Sequence, residues 1–123
     1  MYQPKLEKDI RCPLEYGLSL FGGKWKPRIL CVLHTKGVLR YSQIRKEMAN
    51  ITDPVLAASL KEMISEELVV RKHYDEIPPR VEYSLTEKGR SLMPILQSIC
   101  LWSGQYFNEN PTGEGMCHKC NHR

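Results

Sequence analysis

A length of 123 residues suits one hydrophobic core with a short tail rather than two independent domains, and 41% hydrophobic with 26% charged residues excludes disordered and membrane compositions. No apolar run nears the roughly 18 residues that cross a bilayer, and residues 1–11 lack an apolar signal core, so a cytoplasmic protein with no membrane partner is expected. The net charge of +4 favours a polyanionic partner, and five cysteines in a cytoplasmic chain leave packing, redox chemistry or metal binding open, rather than a disulfide scaffold.

The pattern divides the chain into an arm (1–11), a domain (12–108) and a tail (109–123). Cys12-Pro13 opens a predicted helix over 13–21, with Leu14, Leu18 and Phe21 at helical spacing. Gly22-Gly23 stops it. A second, core helix follows over 24–33 on Trp25, Ile29, Leu30, Val32 and Leu33, and Gly37 breaks it. Residues 40–42 read as a short extended piece ending at an N-cap for a third helix over 43–49.

In the fourth helix, running to about Glu66, Thr52 can cap the first turn, Asp53 complements the helix dipole, and Pro54 is tolerated so early. Leu56, Leu60, Met63 and Ile64 fall on one side, leaving Pro54, Val55, Ala58, Ser59, Lys61 and Glu62 around the other. One face packs and the other is presented.

Residues 69–74 and 81–85 are β-prone, the second cleanly alternating, and Pro78-Pro79 stiffen the loop between them. A hairpin with a projecting tip is expected. From Thr86 a last helix carries Leu92, Ile95, Leu96, Ile99, Trp102, Ser103 and Tyr106 as a broad apolar stripe, with a kink expected at Pro94. So long a stripe exceeds what one small core covers, and burial against a second copy makes a homodimer.

Three short helices, the last with a presented face, followed by a β-hairpin, give an α+β, mainly α, winged helix-turn-helix with terminal dimerisation helices. In that fold the second motif helix enters the major groove of double-stranded DNA. The same order also fits a winged helix that binds protein.

The motifs Cys12-Pro13, Gly22-Gly23-Lys24-Trp25, Leu56 to Leu60 followed by Lys61-Glu62, and above all residues 77–86 (IPPRVEYSLT) give a chain that resembles the HxlR family of regulators, relatives of the MarR group, from Cys12 to about Phe107. The resemblance implies a dimeric repressor or activator that reads DNA with the helix at 53–66, uses the hairpin as a wing, and joins subunits through its terminal helices. On that reading Thr52, Pro54, Val55, Ala58, Ser59 and Lys61 face DNA. Family members usually carry longer polar residues where this chain has Pro54, Ala58 and Ser59, so bidentate base readout is absent there, and sequence choice leans on shape and phosphates. Arg80 at the wing tip suits a phosphate or a narrow minor groove, the alternative being a solvated arginine. Alternation lets only some of Arg71, Lys72 and His73 face DNA, and Ser42, Gln43 and Lys46 are phosphate candidates or plain surface.

Cys12, just before a helix N-terminus, matches the position that HxlR-like regulators use for redox sensing; the alternative is a small packing residue. Cys31 and Cys100 lie in apolar runs and read as packing. No cofactor is expected, except that Cys117 and Cys120 form half a zinc site that His122 or a second subunit would have to complete, the alternatives being an inert tail or a reversible disulfide. A thiol oxidoreductase is the rival reading, but its C-x-x-C belongs at a helix start in a βαβ unit and here ends an irregular tail. With no phosphate loop and no zinc-protease motif, an enzyme is not expected.

Overall fold

The computed structural model describes residues 9–107. Its elements in chain order are α1 (Pro13–Phe21), α2 (Trp25–Lys36), β1 (Leu39–Arg40), α3 (Tyr41–Met48), α4 (Asp53–Ser65), β2 (Val69–Tyr74), β3 (Arg80–Leu85) and α5 (Glu87–Gly104). β3 is the middle strand of an antiparallel sheet ordered β1-β3-β2. Five helices around a small sheet make the expected winged helix-turn-helix.

The core forms where the apolar faces of α2, α3 and α4 meet the inner face of the sheet. Ile29, Leu30 and Leu33 of α2, Ile44 and Met48 of α3, and Leu56 and Met63 of α4 have almost no exposed surface. Val69, Tyr83 and Leu85 close the cluster from the strands, and Leu92 and Met93 from the start of α5. Burying each large side chain contributes on the order of 1.5–3 kcal/mol, so this cluster sets the angle between the helices. Lys26 adds a polar tie, its Nζ meeting Glu62 Oε2 at 2.9 Å and so joining α2 to α4.

Several boundaries differ from those predicted. α2 begins at Trp25 and runs three residues beyond Leu33, until Gly37 at φ 90° ends it. α3 begins at Tyr41 rather than Gln43, because β1 pairs Leu39 with Tyr83 and Arg40 with Glu82, and this fixes the backbone up to Arg40. Gln43 Oε1 then accepts the Arg40 N–H at 2.8 Å, replacing the predicted cap at residue 42. Thr52 occupies the N-cap of α4, but its side chain makes no capping bond. α5 continues through Pro94.

The entry to α5 is tightly built. Thr86 Oγ1 donates to Glu67 O at 2.6 Å and accepts the Gly89 N–H at 3.0 Å, while the Thr86 N–H donates to Leu68 O at 3.0 Å. Gly89 lies so close to Leu68 that a Cβ there would meet its carbonyl oxygen at under 3.0 Å. Lys88 Nζ donates to Glu66 O at 2.9 Å and to Tyr16 OH at 3.2 Å, linking α1, the end of α4 and the start of α5.

Candidate nucleic-acid interface

The two motif helices are held by one polar clip. Asp53, the first residue of α4, accepts from Arg45 Nε at 2.7 Å and from Tyr41 OH at 3.3 Å, and the same hydroxyl lies 3.2 Å from the Asp53 carbonyl. Partial burial, then the Asp53 carboxylate, push the Tyr41 phenol above its usual value. The clip pairs Arg45 with Asp53 across the turn while both side chains stay exposed. Beneath it Ile44, Met48, Ile51 and Leu56 are buried, so the turn is fixed from both sides.

With Leu56, Leu60 and Met63 turned inward, α4 exposes Thr52, Pro54, Val55, Ala58 and Lys61, while Ser59 is half-buried. Ala57, between Pro54 and Lys61 on the same face, is exposed as well, so the presented surface is shallow: two hydroxyls, four small apolar groups and one ammonium. Such a surface can touch a thymine methyl, a base edge or a phosphate, but lacks any planar fork. Glu62, expected on this face, is drawn back to Lys26. On α3, Ser42 and Lys46 are exposed, whereas the Gln43 carbonyl oxygen is committed to the helix cap.

Register resolves the wing. Val69 pairs with Leu85, Arg71 with Tyr83 and His73 with Val81, so Arg71 and His73 lie on the same sheet face as Val69, yet unlike it both are exposed. Lys72 faces the other way, opposite Glu82, with its Nζ 5.2 Å from the Tyr74 ring.

Arg80 departs from the free, exposed charge expected at the tip. It is the first residue of β3, opposite Tyr74, and its guanidinium lies 3.8 Å from the centroid of that ring. Its Nη2 meets Glu76 Oε2 at 2.9 Å and its Nη1 meets Glu82 Oε2 at 3.3 Å, leaving the side chain 28% exposed. The reason is the strand alternation, which brings Tyr74, Arg80 and Glu82 to one face. Reading the tip arginine in isolation missed Tyr74, Glu76 and Glu82; hairpin pairing was the available signal.

Away from this surface, Cys12 is exposed at the start of α1, beside the exposed Leu14, Tyr16 and Leu18. The stripe on α5 divides. Leu92 belongs to the chain's own core and Leu96 packs against it, whereas Ile95, Ile99, Trp102 and Tyr106 are exposed, the last two with ring centroids 5.6 Å apart. Cys31 packs against the core and Cys100 is half-buried. Cys117, Cys120 and His122 lie outside the described residues. Among the described residues no three His, Cys, Asp or Glu groups gather as a metal site, and no helix is long and apolar enough to cross a membrane.

The comparisons with known proteins agree with this geometry. The model of the HxlR-like helix-turn-helix family matches residues 20–111. An uncharacterized HTH-type transcriptional regulator of Methanothermobacter thermautotrophicus is 45% identical over 100 residues, covering 81% of this chain and 76% of its own. The redox regulator HypR in its oxidized form superposes with a TM-score of 0.72 at 36% identity, over 80% of this chain and 100% of that one. The reduced form of the transcriptional regulator YodB from Bacillus subtilis gives 0.72 at 36% identity, over 79% and 95%. A clipped helix pair with a presented second helix, a hairpin beside it, and a family match across nearly the whole domain place the chain in the HxlR-like helix-turn-helix family of MarR-related transcription regulators.

Proposed function

We propose that the regulator works as a cytoplasmic homodimer that sets the exposed side of α4 into the major groove of double-stranded DNA, with the β2–β3 hairpin as a wing, and that it acts by binding rather than catalysis. The observation that carries this reading is the split of α4, whose inner side chains are locked in the core while Thr52, Pro54, Val55, Ala58 and Lys61 are exposed. Lys46, Lys61 and Arg71 supply phosphate contacts, and Ser42 and Ser59 add hydroxyls. The exposed apolar residues of α1 and of the far half of α5 cover each other across the two-fold axis, so that two α4 helices meet half-sites about one DNA turn apart.

Fluorescence anisotropy with a duplex from upstream of the gene, titrated at several salt concentrations, tests the reading. Three or four phosphate contacts per protomer give a slope of log K against log salt of about −5 to −7. An affinity that ignores salt, or equals that for an unrelated duplex of the same length, would overturn sequence-specific binding.

A second reading concerns control: oxidation at Cys12 alters DNA affinity. The exposed thiol sits where α1 begins, beside apolar residues available to the dimer interface, so modification or a cross-subunit disulfide there would move one subunit against the other. The similarity to HypR, named a redox regulator, supports it.

A further inference from the structure

The wing arginine is surrounded more completely than its position requires. Tyr74 covers one face of the Arg80 guanidinium, and Nη2 and Nη1 meet Glu76 and Glu82. The Nε is buried without a partner. Only the Nη groups can reach an incoming anion, and both are turned toward carboxylates. Two carboxylates around one guanidinium leave that cluster one negative charge in excess, although the hairpin as a whole, with Arg71, Lys72 and Arg80 against Asp75, Glu76 and Glu82, is neutral.

The two carboxylates are not equivalent. Glu82 is on β3, in register with Arg40 and Lys72, and its side chain is 21% exposed. Glu76 lies in the loop between β2 and β3, and its side chain is 52% exposed. An exposed pair whose carboxylate belongs to a loop is weakly held, because water competes and no strand fixes the partner. A phosphate oxygen accepts from a guanidinium at about the same distance as a carboxylate oxygen does.

We propose that Glu76 is a resident substitute for DNA phosphate: it holds Nη2 of Arg80 in the free protein and is displaced by a backbone phosphate on binding, while Tyr74 and Glu82 keep the guanidinium aimed. The proposal rests on the wing-contact reading above. Its consequence is an affinity set below what the wing could supply. The arginine is already oriented, so little side-chain freedom is lost on binding, but each wing contact must first release a carboxylate that then faces the phosphates.

A double-mutant cycle on the full chain tests this, with Glu76→Gln, Arg80→Met and the double variant titrated against one operator duplex across a salt series. Methionine keeps an apolar stem over Tyr74 while removing the charge, and thermal unfolding of each variant establishes that it is folded. Glu76→Gln should tighten binding by about three- to tenfold at physiological salt and steepen the salt slope by about 1, since a phosphate contact no longer replaces an internal ion pair. In the Arg80→Met background only the smaller effect of removing one charge near the phosphates, less than about twofold, should remain, with no steepening of the slope by a further contact. Equal tightening in both backgrounds would make Glu76 a mere field effect and overturn the proposal, as would no tightening in either. Arg80→Met that leaves affinity and slope unchanged, even beside Glu76→Gln, would instead remove the wing contact while sparing the reading by α4. Absence of salt-dependent binding in the parent would remove both.

Discussion

Replacing Gly89 by alanine sets two local effects against each other. Inside a helix, alanine is favoured over glycine by up to about 1 kcal/mol, so propensity alone predicts a gain. At Gly89, however, the new methyl would lie under 3.0 Å from Leu68 O, with the Leu68 carbonyl carbon at 3.2 Å and Leu85 Cδ2 at 3.3 Å. The obstacle is backbone, so α5 or the end of the α4–β2 turn must shift by roughly an ångström, and overpacking of that kind costs about 1–3 kcal/mol. The same carbonyl accepts the Thr86 N–H, a bond whose weakening adds about 1 kcal/mol. The net expectation is a destabilisation of about 2 kcal/mol, or roughly 6–10 °C in Tm for a chain of this size. Gly104→Ala is the control, because a Cβ there meets nothing within 4 Å and propensity should act unopposed. Circular dichroism melts and denaturant titrations at matched protein concentration read both variants. A Gly89→Ala protein as stable as the parent would refute the close-approach argument.

Glutamate at both Ile95 and Ile99 should break the proposed dimer while leaving the core intact, since both side chains are exposed in the single chain; light scattering should fall to the 14.3 kDa chain mass and operator affinity by a hundredfold or more, whereas an unchanged dimer mass would locate the interface elsewhere and a parent already at 14.3 kDa would refute the dimer. Burial and the Asp53 carboxylate raise the Tyr41 phenol above 10.0, so the folded state holds this proton more tightly than the unfolded state does. That contribution is complete below the unfolded value and is lost as pH climbs through the folded one. Denaturant midpoints from about pH 8 to about pH 11 should therefore fall more steeply in the parent than in Tyr41→Phe, and identical profiles would contradict the clip. For control by thiol chemistry, Cys12→Ser should abolish the response of DNA affinity to diamide, while the double variant Cys117→Ser with Cys120→Ser should keep it; loss only in the double variant would move the sensor to the tail.

Much of the reading helix was legible in the sequence because its signals are local and agree. Leu56, Leu60 and Met63 repeat at helical spacing and all three are buried, and β2 covers the predicted residues, Val69–Tyr74. The start of α3 was not, because a preference for a hydroxyl at the N-cap points to Ser42, whereas pairing of β1 with β3 fixes the chain two residues earlier. Thr52 fits the cap position, but a cap residue need not use its side chain. Periodicity marks Leu92 and Ile99 alike as apolar, yet one packs beneath the sheet and the other is exposed, a distinction set by where α5 leaves the domain. Arg80 shows the same limit, since its partners come from both strands and the loop.

The junction of α4, β2 and α5 gives the last helix the mechanics of a lever. Lys88 and Thr86 bond to the carbonyls of Glu66 and Glu67, and Gly89 is pressed against Leu68, so α5 is gripped over its first turn. Its 18 residues extend about 27 Å from that grip, and each degree of tilt there displaces the far end by roughly 0.5 Å. Hydrogen bonds to base edges tolerate only about half an ångström in length. In the proposed dimer, a rotation of a few degrees, with no residue unfolding and no side chain on the exposed face of α4 altered, would therefore be enough to set the two α4 helices out of step with the helical repeat.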